Sequence, residues 1–462
     1  MNRIEWDQIT NEVVGYLQSL LRINTINPPG NEIEAARWLA DVLQREGIEP
    51  IILESVPGRG NLVARLEGTG EEAPLLLMSH VDVVPVEPDK WVYPPFGGEI
   101  HDGYIWGRGA LDMKHIVAQE LMLMLLFKRL ADQGVRLKRD LIFMAAADEE
   151  RGGKYGAHWL VDNHPELVRA EYALNEGGGL PNRVGDALFM TVQTSEKGLA
   201  RFRLIARGEP GHASQPREDN AVVRLAEAVA AIGRAKLPAH LTETVRAFFE
   251  TMASQQSPET AELMRILATD ETRVDAVLEQ LTVDDNKKRY FYALTHNTAT
   301  PTILEAGSKI NVIPSEAMAR VDGRTLPGFD REAFRQELEP LLPDGVELQF
   351  EDEGAPLESG LDSPLFDAIR ASIDEHYPEV TLVPTLLTGA TDAKAIVKLG
   401  TKVYGFSPRR YEPEMEGLNL VHGHNERISI DSLVFGTRVL FDIIWRFCEP
   451  VMAEPKRQPF TQ

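Results

Sequence analysis

Four short apolar runs, each closed by a polar residue or a turn, set the pattern of this chain. Pro74 to Ser79 (PLLLMS) ends at His80, and Asp140 to Ala147 (DLIFMAAA) ends at Asp148-Glu149-Glu150. Glu171 to Asn175 (EYALN) ends at Glu176, and Thr401 to Phe406 (TKVYGF) ends near a Pro-Arg turn. Between them, apolar positions recur at helical spacing over 113–130, 156–162, 364–375 and 392–399. Two further helices are predicted over 6–22 and 32–46, separated by the turn-rich NTINPPGN stretch. Continuous apolar strands alternating with helices predict an α/β fold, a mostly parallel sheet covered by helices on both faces. Ligands of such sheets bind beyond the carboxyl ends of the strands. Three of the four runs place an acid or a histidine there.

The texture changes near Gly198. Residues 199–207 alternate like a half-buried strand, and 220–232 are helical. Two strands (302–306 and 310–322), a helix (330–342) and a last strand (346–351) follow. The order β-α-β-β-α-β is that of a ferredoxin-like unit, interrupted by a polar, mostly helical insert at about 238–300. Beyond Gly354 the first texture resumes. The expected organisation is therefore a discontinuous domain, 1–197 plus 354–462, with a smaller domain, 198–353, inserted into it.

Composition narrows the function classes. The 462 residues include 71 acidic and 48 basic side chains, a formal charge of −23. That balance argues against a nucleic-acid binder or a polybasic membrane surface. The single cysteine, Cys448, excludes an intrachain disulfide and a thiolate zinc finger. No run approaches the ~18 apolar residues of a membrane helix. The N-terminus MNRIEWD lacks the apolar core of a signal peptide, so the expected compartment is the cytoplasm.

Candidate chemistry gathers at five loops. In Ser79-His80-Val81-Asp82, the imidazole can face a metal while Asp82, two residues on, takes the other ring N–H. Gly107-Arg108-Gly109-Ala110-Leu111-Asp112 brings a carboxylate to a helix start. Asp148-Glu149-Glu150 crowds three acids that repel unless a cation is near; adjacent glutamates can divide metal binding from proton transfer. Asn175-Glu176-Gly177-Gly178-Gly179 adds another strand-end carboxylate, and His422-Gly423-His424-Asn425-Glu426 adds imidazoles. Nitrogen and carboxylate donors without thiolates suit Zn²⁺ or a similar divalent ion. His80, Asp112, Glu150, Glu176 and His422 would serve two such ions, with Asp112 shared. There is no HExxH helix, GxxxxGK loop or GxSxG elbow to suggest competing chemistry.

The ordered motifs SHVDVVP, GRGALDMK, DEE, NEGGG and HGHNE resemble those of the zinc exopeptidase and amidohydrolase family. That family includes glutamate carboxypeptidase, acetylornithine deacetylase, succinyl-diaminopimelate desuccinylase and aminoacylase. The resemblance covers nearly the whole chain, and the stretch WVYPPFGGEIHDGYIWGRG is most similar to the carboxypeptidase S and N-acyl-amino-acid hydrolase branch. It implies a di-zinc hydrolase of peptide or N-acyl amide bonds, with Co²⁺ or Mn²⁺ as substitutes. His80 and Glu176 would bind one metal, Glu150 and His422 the other, and Asp112 would bridge. Glu149 would be the general base, and Asp82 would orient His80.

The inserted domain is implicated by the same resemblance. In Gly211-His212-Ala213-Ser214, His212 would hydrogen-bond the substrate carbonyl, often from a partner subunit. Asn311 and Arg324 would hold the substrate carboxylate, to which an Arg fork is suited. Gly389, in Gly389-Ala390-Thr391-Asp392, matches a substrate-side loop. The resemblance also implies a lid that closes about a hinge at 196–199 and 353–355. It implies a homodimer through the inserted domain, though the 238–300 insert leaves open whether His212 acts in cis or in trans. The alternatives are a biosynthetic deacylase and a non-catalytic binding protein on the same scaffold.

Overall fold

The computed structural model describes residues 5–184, 187–351 and 354–452. The chain divides into two compact units. One comprises Met1–Gln193, Leu361–Leu382 and Thr391–Gln462; the other comprises Thr194–Gly360 and Val383–Ala390.

The four apolar runs become the parallel centre of the first unit's sheet. Leu141–Ala146 lies beside Leu75–His80, then Tyr172–Asn175, then Lys402–Gly405, all parallel. Leu141–Ala146 and Leu75–His80 are buried along their whole length, because helices cover both faces. Antiparallel strands extend the margins. Gly60–Leu66 pairs with Leu141–Ala146, and Pro50–Glu54 pairs with Gly60–Leu66. On the other side Gln193, in the strand Ala187–Glu196, pairs with Gly405. The α/β expectation holds, with antiparallel margins added to the parallel centre.

Helix Lys114–Asp132 is buried all around its first fourteen residues, the signature of a core helix rather than a surface one. Helices Trp6–Arg22 and Ile430–Phe447 pack against it. Phe127 stacks on Phe441 with centroids 5.0 Å apart. The register places His80 opposite Ala146 and Asn175 opposite Gly405. The carboxyl ends of the parallel strands therefore open at one level, which is where the candidate residues sit.

The second unit holds an antiparallel sheet in the spatial order Val346–Phe350, Phe202–Arg207, Glu316–Thr325, Thr298–Ala306. This is the ferredoxin-like arrangement expected from the element order. Helix Ala221–Arg234 packs on it through Ala221, Leu225, Ala228 and Ile232. The insert forms helices Glu243–Ala253, Pro258–Thr269, Val274–Gln280 and Asp285–Thr295. Three start with a side-chain cap, from Thr242, Ser257 and Asp284, which satisfies donors a helix start leaves unpaired. Phe248, Phe249 and Phe291 pack edge-on beneath them. At the expected hinge positions, Leu199 and Gly354 exchange backbone hydrogen bonds of 2.7 and 3.1 Å; Glu353 lies outside the described residues. No described helix is long and apolar enough to cross a membrane.

Candidate metal centre

His80 ends its strand almost completely buried. Its Nδ1–H donates to the Asp82 carbonyl at 3.0 Å, and an Asp82 carboxylate oxygen lies 3.3 Å from the same nitrogen. Nε2 is thereby left to face the cluster, 3.1 Å from Asp112 Oδ1 and 3.8 Å from both Glu149 Oε2 and Glu176 Oε1. Asp82 also accepts from the backbone N–H of Glu149 (3.1 Å) and of Glu150 (3.2 Å), so one buried carboxylate fixes the histidine and the glutamate turn together. Burial opposes its charge, but hydrogen bonds from His80 and Asn27 hold its carboxyl below the usual range.

Asn27 is a residue the sequence motifs did not single out. Its amide donates to Asp82 (2.8 Å) and Asp148 (3.0 Å) and accepts from Arg59 (2.7 Å). Asp148 has φ 70, a left-handed conformation that aspartate tolerates better than most residues. That kink turns the chain off its strand and places Glu149 and Glu150.

Asp112 divides its oxygens between two histidines. Oδ1 faces His80, while Oδ2 lies 3.1 Å from His422 Nε2. His422 Nε2 is also 3.1 Å from Glu150 Oε2. The loop carrying Asp112 is held by Glu426, fully buried. Glu426 accepts from the backbone N–H of Gly109 (3.1 Å), Leu111 (2.7 Å) and Asp112 (3.0 Å), and from Arg108 (2.6 Å). It closes the HGHNE motif, so its position was visible in the sequence but its task was not. After Glu176 the glycines are obligatory: Gly177 has φ 111, and a Cβ there would lie 1.7 Å from Gln193 Oε1.

The electrostatics are those of acids packed for a cation. Burial, reinforced by the neighbouring Asp112 charge, pushes Glu176 up to about 8. Burial raises Glu149 well above the usual carboxylate range, against the pull of His80 and with the charges of Glu176, Asp392 and Glu150 adding to it. Asp112 goes the other way: burial would raise it, but hydrogen bonds from His422 and His80 hold it far below. Hydrogen bonds to Asp112 and Glu150 lift His422 to about 10. Glu150 Oε1 is buried with no hydrogen-bond partner. The donor atoms of His80, Asp112 and Glu150 lie within 4.8 Å of one another, as do those of His80, Glu149 and Glu176. Imidazole nitrogens, crowded carboxylates and an orphaned buried oxygen fit divalent cations with nitrogen and oxygen preferences.

The other expected residues belong to the second unit. His212 lies in the short strand Gly211–His212, paired with Val312–Ile313. Its Nδ1 accepts from the Ser214 backbone N–H (3.2 Å) and lies 2.7 Å from the Ser214 hydroxyl, so the neutral ring carries its proton on Nε2. Asn311 adjoins it, its carbonyl accepting from Ala213 N–H at 3.1 Å. Arg324 spends two nitrogens on Asp322 (2.6 and 3.2 Å), and its Nη1 is buried without a partner. Gly389 groups with this unit, and a Cβ there would meet only Leu387 at 3.9 Å, so packing does not demand a glycine.

Residues 76–446 match the description "Peptidase family M20/M25/M40". The chain belongs to the M20 peptidase family. Among relatives of this M20 protein, a probable carboxypeptidase S-like protein of Dictyostelium discoideum is 31% identical over 385 residues, covering 80% of this chain and 71% of the relative. Aminoacylase-1 of Mus musculus is 30% identical over 438 residues, covering 92% and 93%. The fold is similar to that of an M20 family metallo-carboxypeptidase from Sulfolobus solfataricus, with a TM-score of 0.70 at 20% identity, covering 94% of this chain and 99% of that one. The protein is a hydrolase acting on amide bonds.

Proposed function

We propose that this M20 protein hydrolyses small peptides or N-acyl amino acids that bear a free carboxylate, using two divalent cations, Zn²⁺ in the first instance. His80 and Glu176 would hold one ion, Glu150 and His422 the other, and Asp112 would lie between them. The supporting observation is the placement of Asp112, one oxygen toward each histidine at 3.1 Å, with the half-buried Glu149 beside it. When bound, the cations supply Lewis acidity, lowering the pKa of water and polarising a carbonyl.

The chain's own groups do the rest. Glu149, lifted by burial, takes a proton from the attacking water and returns it to the leaving nitrogen. His212 donates from Nε2 to the carbonyl oxygen as charge develops there. Asn311 and Arg324 position the substrate carboxylate, with the Gly389 loop on the substrate side. Closure about 196–199 and the 353–355 segment would unite these groups with the metal centre. A cytoplasmic homodimer through the inserted domain completes the reading.

The test pairs turnover with metal content. Glu149→Ala in Zn²⁺-reconstituted protein is expected to lose turnover by about 10²- to 10⁴-fold while keeping its metal. Turnover near wild type would remove Glu149 from the mechanism. Reconstituted protein that retains no ion would remove the metal centre. Parallel panels of N-acyl amino acids and dipeptides separate acylase from peptidase, and N-acetylornithine and N-succinyl-diaminopimelate test the biosynthetic alternative.

A further inference from the structure

The insert at about 238–300 is a feature that the proposed reaction leaves without a task. Its two ends meet at its base. Ala239 and His296 form an antiparallel bridge, and the His240 N–H donates to the Thr295 carbonyl at 2.7 Å. The insert is thus a closed module within the second unit, and what its base touches points to its purpose.

The base grips the end of one strand. Glu316–Thr325 carries Arg324 as its penultimate residue, and the chain then turns from Leu326 to Phe329. Asn297, fully buried, accepts from the Leu326 N–H at 2.8 Å. Its amide donates to both oxygens of Glu337 (3.0 and 3.1 Å), and the first of these lies 2.7 Å from His240 Nε2. The His240 ring packs on Phe329 with centroids 4.1 Å apart. One polar chain therefore runs from the start of the insert, through helix Arg331–Leu338, to the end of the insert and the backbone just beyond Arg324. Asparagine suits its middle, because one side chain must both accept from a backbone N–H and donate to a carboxylate.

A second grip comes from Lys197, whose ammonium donates to the His296 carbonyl (2.7 Å) and to the Thr298 hydroxyl (3.3 Å). Thr298 is the residue opposite Arg324 in the neighbouring strand, and directly opposed residues share a face of the sheet. The two cations feel each other: burial and then the Arg324 charge pull Lys197 down to about 7. A guanidinium fork recognises a carboxylate through its geometry, so a strand end that shifts would misdirect it. We propose that the insert is the brace of Arg324: its clasped base, acting through Asn297, sets the position from which the guanidinium meets the substrate carboxylate. Asn297 is a positioning residue and touches no substrate. The brace rests on the amide-hydrolysis reading above and on the carboxylate role given there to Arg324.

Asn297→Asp sets a carboxylate against Glu337 and should push the strand end away. The probes are N-acetyl-L-alanine and its neutral carboxamide, with Zn²⁺-reconstituted protein. The ratio of kcat/KM for acid over carboxamide should fall by about 10- to 100-fold, mostly through KM, as it should in Arg324→Met. Asn297→Ala, which removes the acceptor without adding charge, should fall between Asn297→Asp and wild type. Adding Glu337→Gln to Asn297→Asp reverses the polarity of the pair and should restore the ratio. Hydrogen exchange over residues 322–326 reads the strand end without turnover: faster in Asn297→Asp, near wild type in the double variant. An unchanged ratio in Asn297→Asp while Arg324→Met loses it overturns the brace, as does an equal loss on both probes, the mark of a merely structural role. If Arg324→Met leaves the ratio unchanged, the carboxylate role of Arg324 fails and the brace loses its purpose. If wild-type protein cleaves neither probe, the hydrolytic reading fails, and unchanged exchange in Asn297→Asp would still overturn Asn297 as the residue that sets the strand end.

Discussion

The two histidines of the proposed metal centre are held in opposite ways. His80 ends a parallel core strand, its side chain 1% exposed, with Asp82 fixing its second nitrogen. His422 sits in a loop at φ 58 with its side chain 53% exposed, and its ring is engaged by Asp112 and Glu150. Under the proposed assignment the fold builds the first position before any ligand arrives, and the acids of the second would gain their full complement only when a cation joins them. The asymmetry sets a buried strand end and an exposed loop on either side of one carboxylate, Asp112.

His80→Ala is the strongest way to break this comparison. It should abolish turnover, leave less than the wild-type metal content after Zn²⁺ reconstitution, and lower the stability of the metal-free protein, because a packed side chain leaves a cavity. His422→Ala should also reduce metal content, yet cost the metal-free protein less stability than His80→Ala does, because its exposed ring loses only its pairing with Asp112 and Glu150. Equal losses of stability from the two substitutions would dissolve the distinction. Metal analysis by mass spectrometry and thermal melts of both variants decide it.

Glu426→Gln comes next in size. It removes the charge paired with Arg108 at 2.6 Å, both groups being buried. Breaking such a pair costs about 3–5 kcal/mol, to be read by chemical denaturation. The loop bearing Asp112 should loosen too, so metal affinity falls along with stability. Asp82→Ala is expected to do less to the fold but to weaken metal binding by about 10- to 100-fold, since the histidine loses its orienting acceptor. A Zn²⁺ titration against a competing chelator measures that loss.

The contrast also explains what could be read in advance. Strands such as Leu75–His80 were legible because every position is buried and the first four are apolar. The marginal strands were not. Pro50–Glu54 is an edge with mostly exposed side chains, and Ala187–Glu196 ends in Thr194, Ser195 and Glu196, polar residues that are nonetheless fully buried and so carry no apolar strand pattern. Every acid and histidine proposed to hold metal stood in a motif at a strand end or loop. Their supports did not, because they act across great sequence distance: Asn27 reaches Asp82 from 55 residues away, and Glu426 reaches the Asp112 N–H from 314.

The finest discrimination between the two positions comes from pH. In the metal-free protein, hydrogen bonds to Asp112 and Glu150 raise His422 from 6.5 to about 10, and burial together with the Asp112 charge raises Glu176 from 4.5 to about 8. Both groups therefore hold more protons folded than unfolded, so stability falls as pH rises through these windows. The His422 contribution is whole below about pH 6.5 and is lost as pH passes about 10. The penalty for Glu176 begins above about pH 4.5 and is complete beyond about 8. Cation binding requires both groups to be deprotonated, so it strengthens over the same range. Between about pH 6 and about pH 9, the metal-free melting temperature should drop by about 3–6 °C, while the gap between metal-loaded and metal-free protein widens. His422→Ala should flatten the upper part of the metal-free slope and leave the Glu176 part in place. A gap that stays constant with pH would mean that the cations do not compete with protons for these side chains, and the donor set would have to be reassigned.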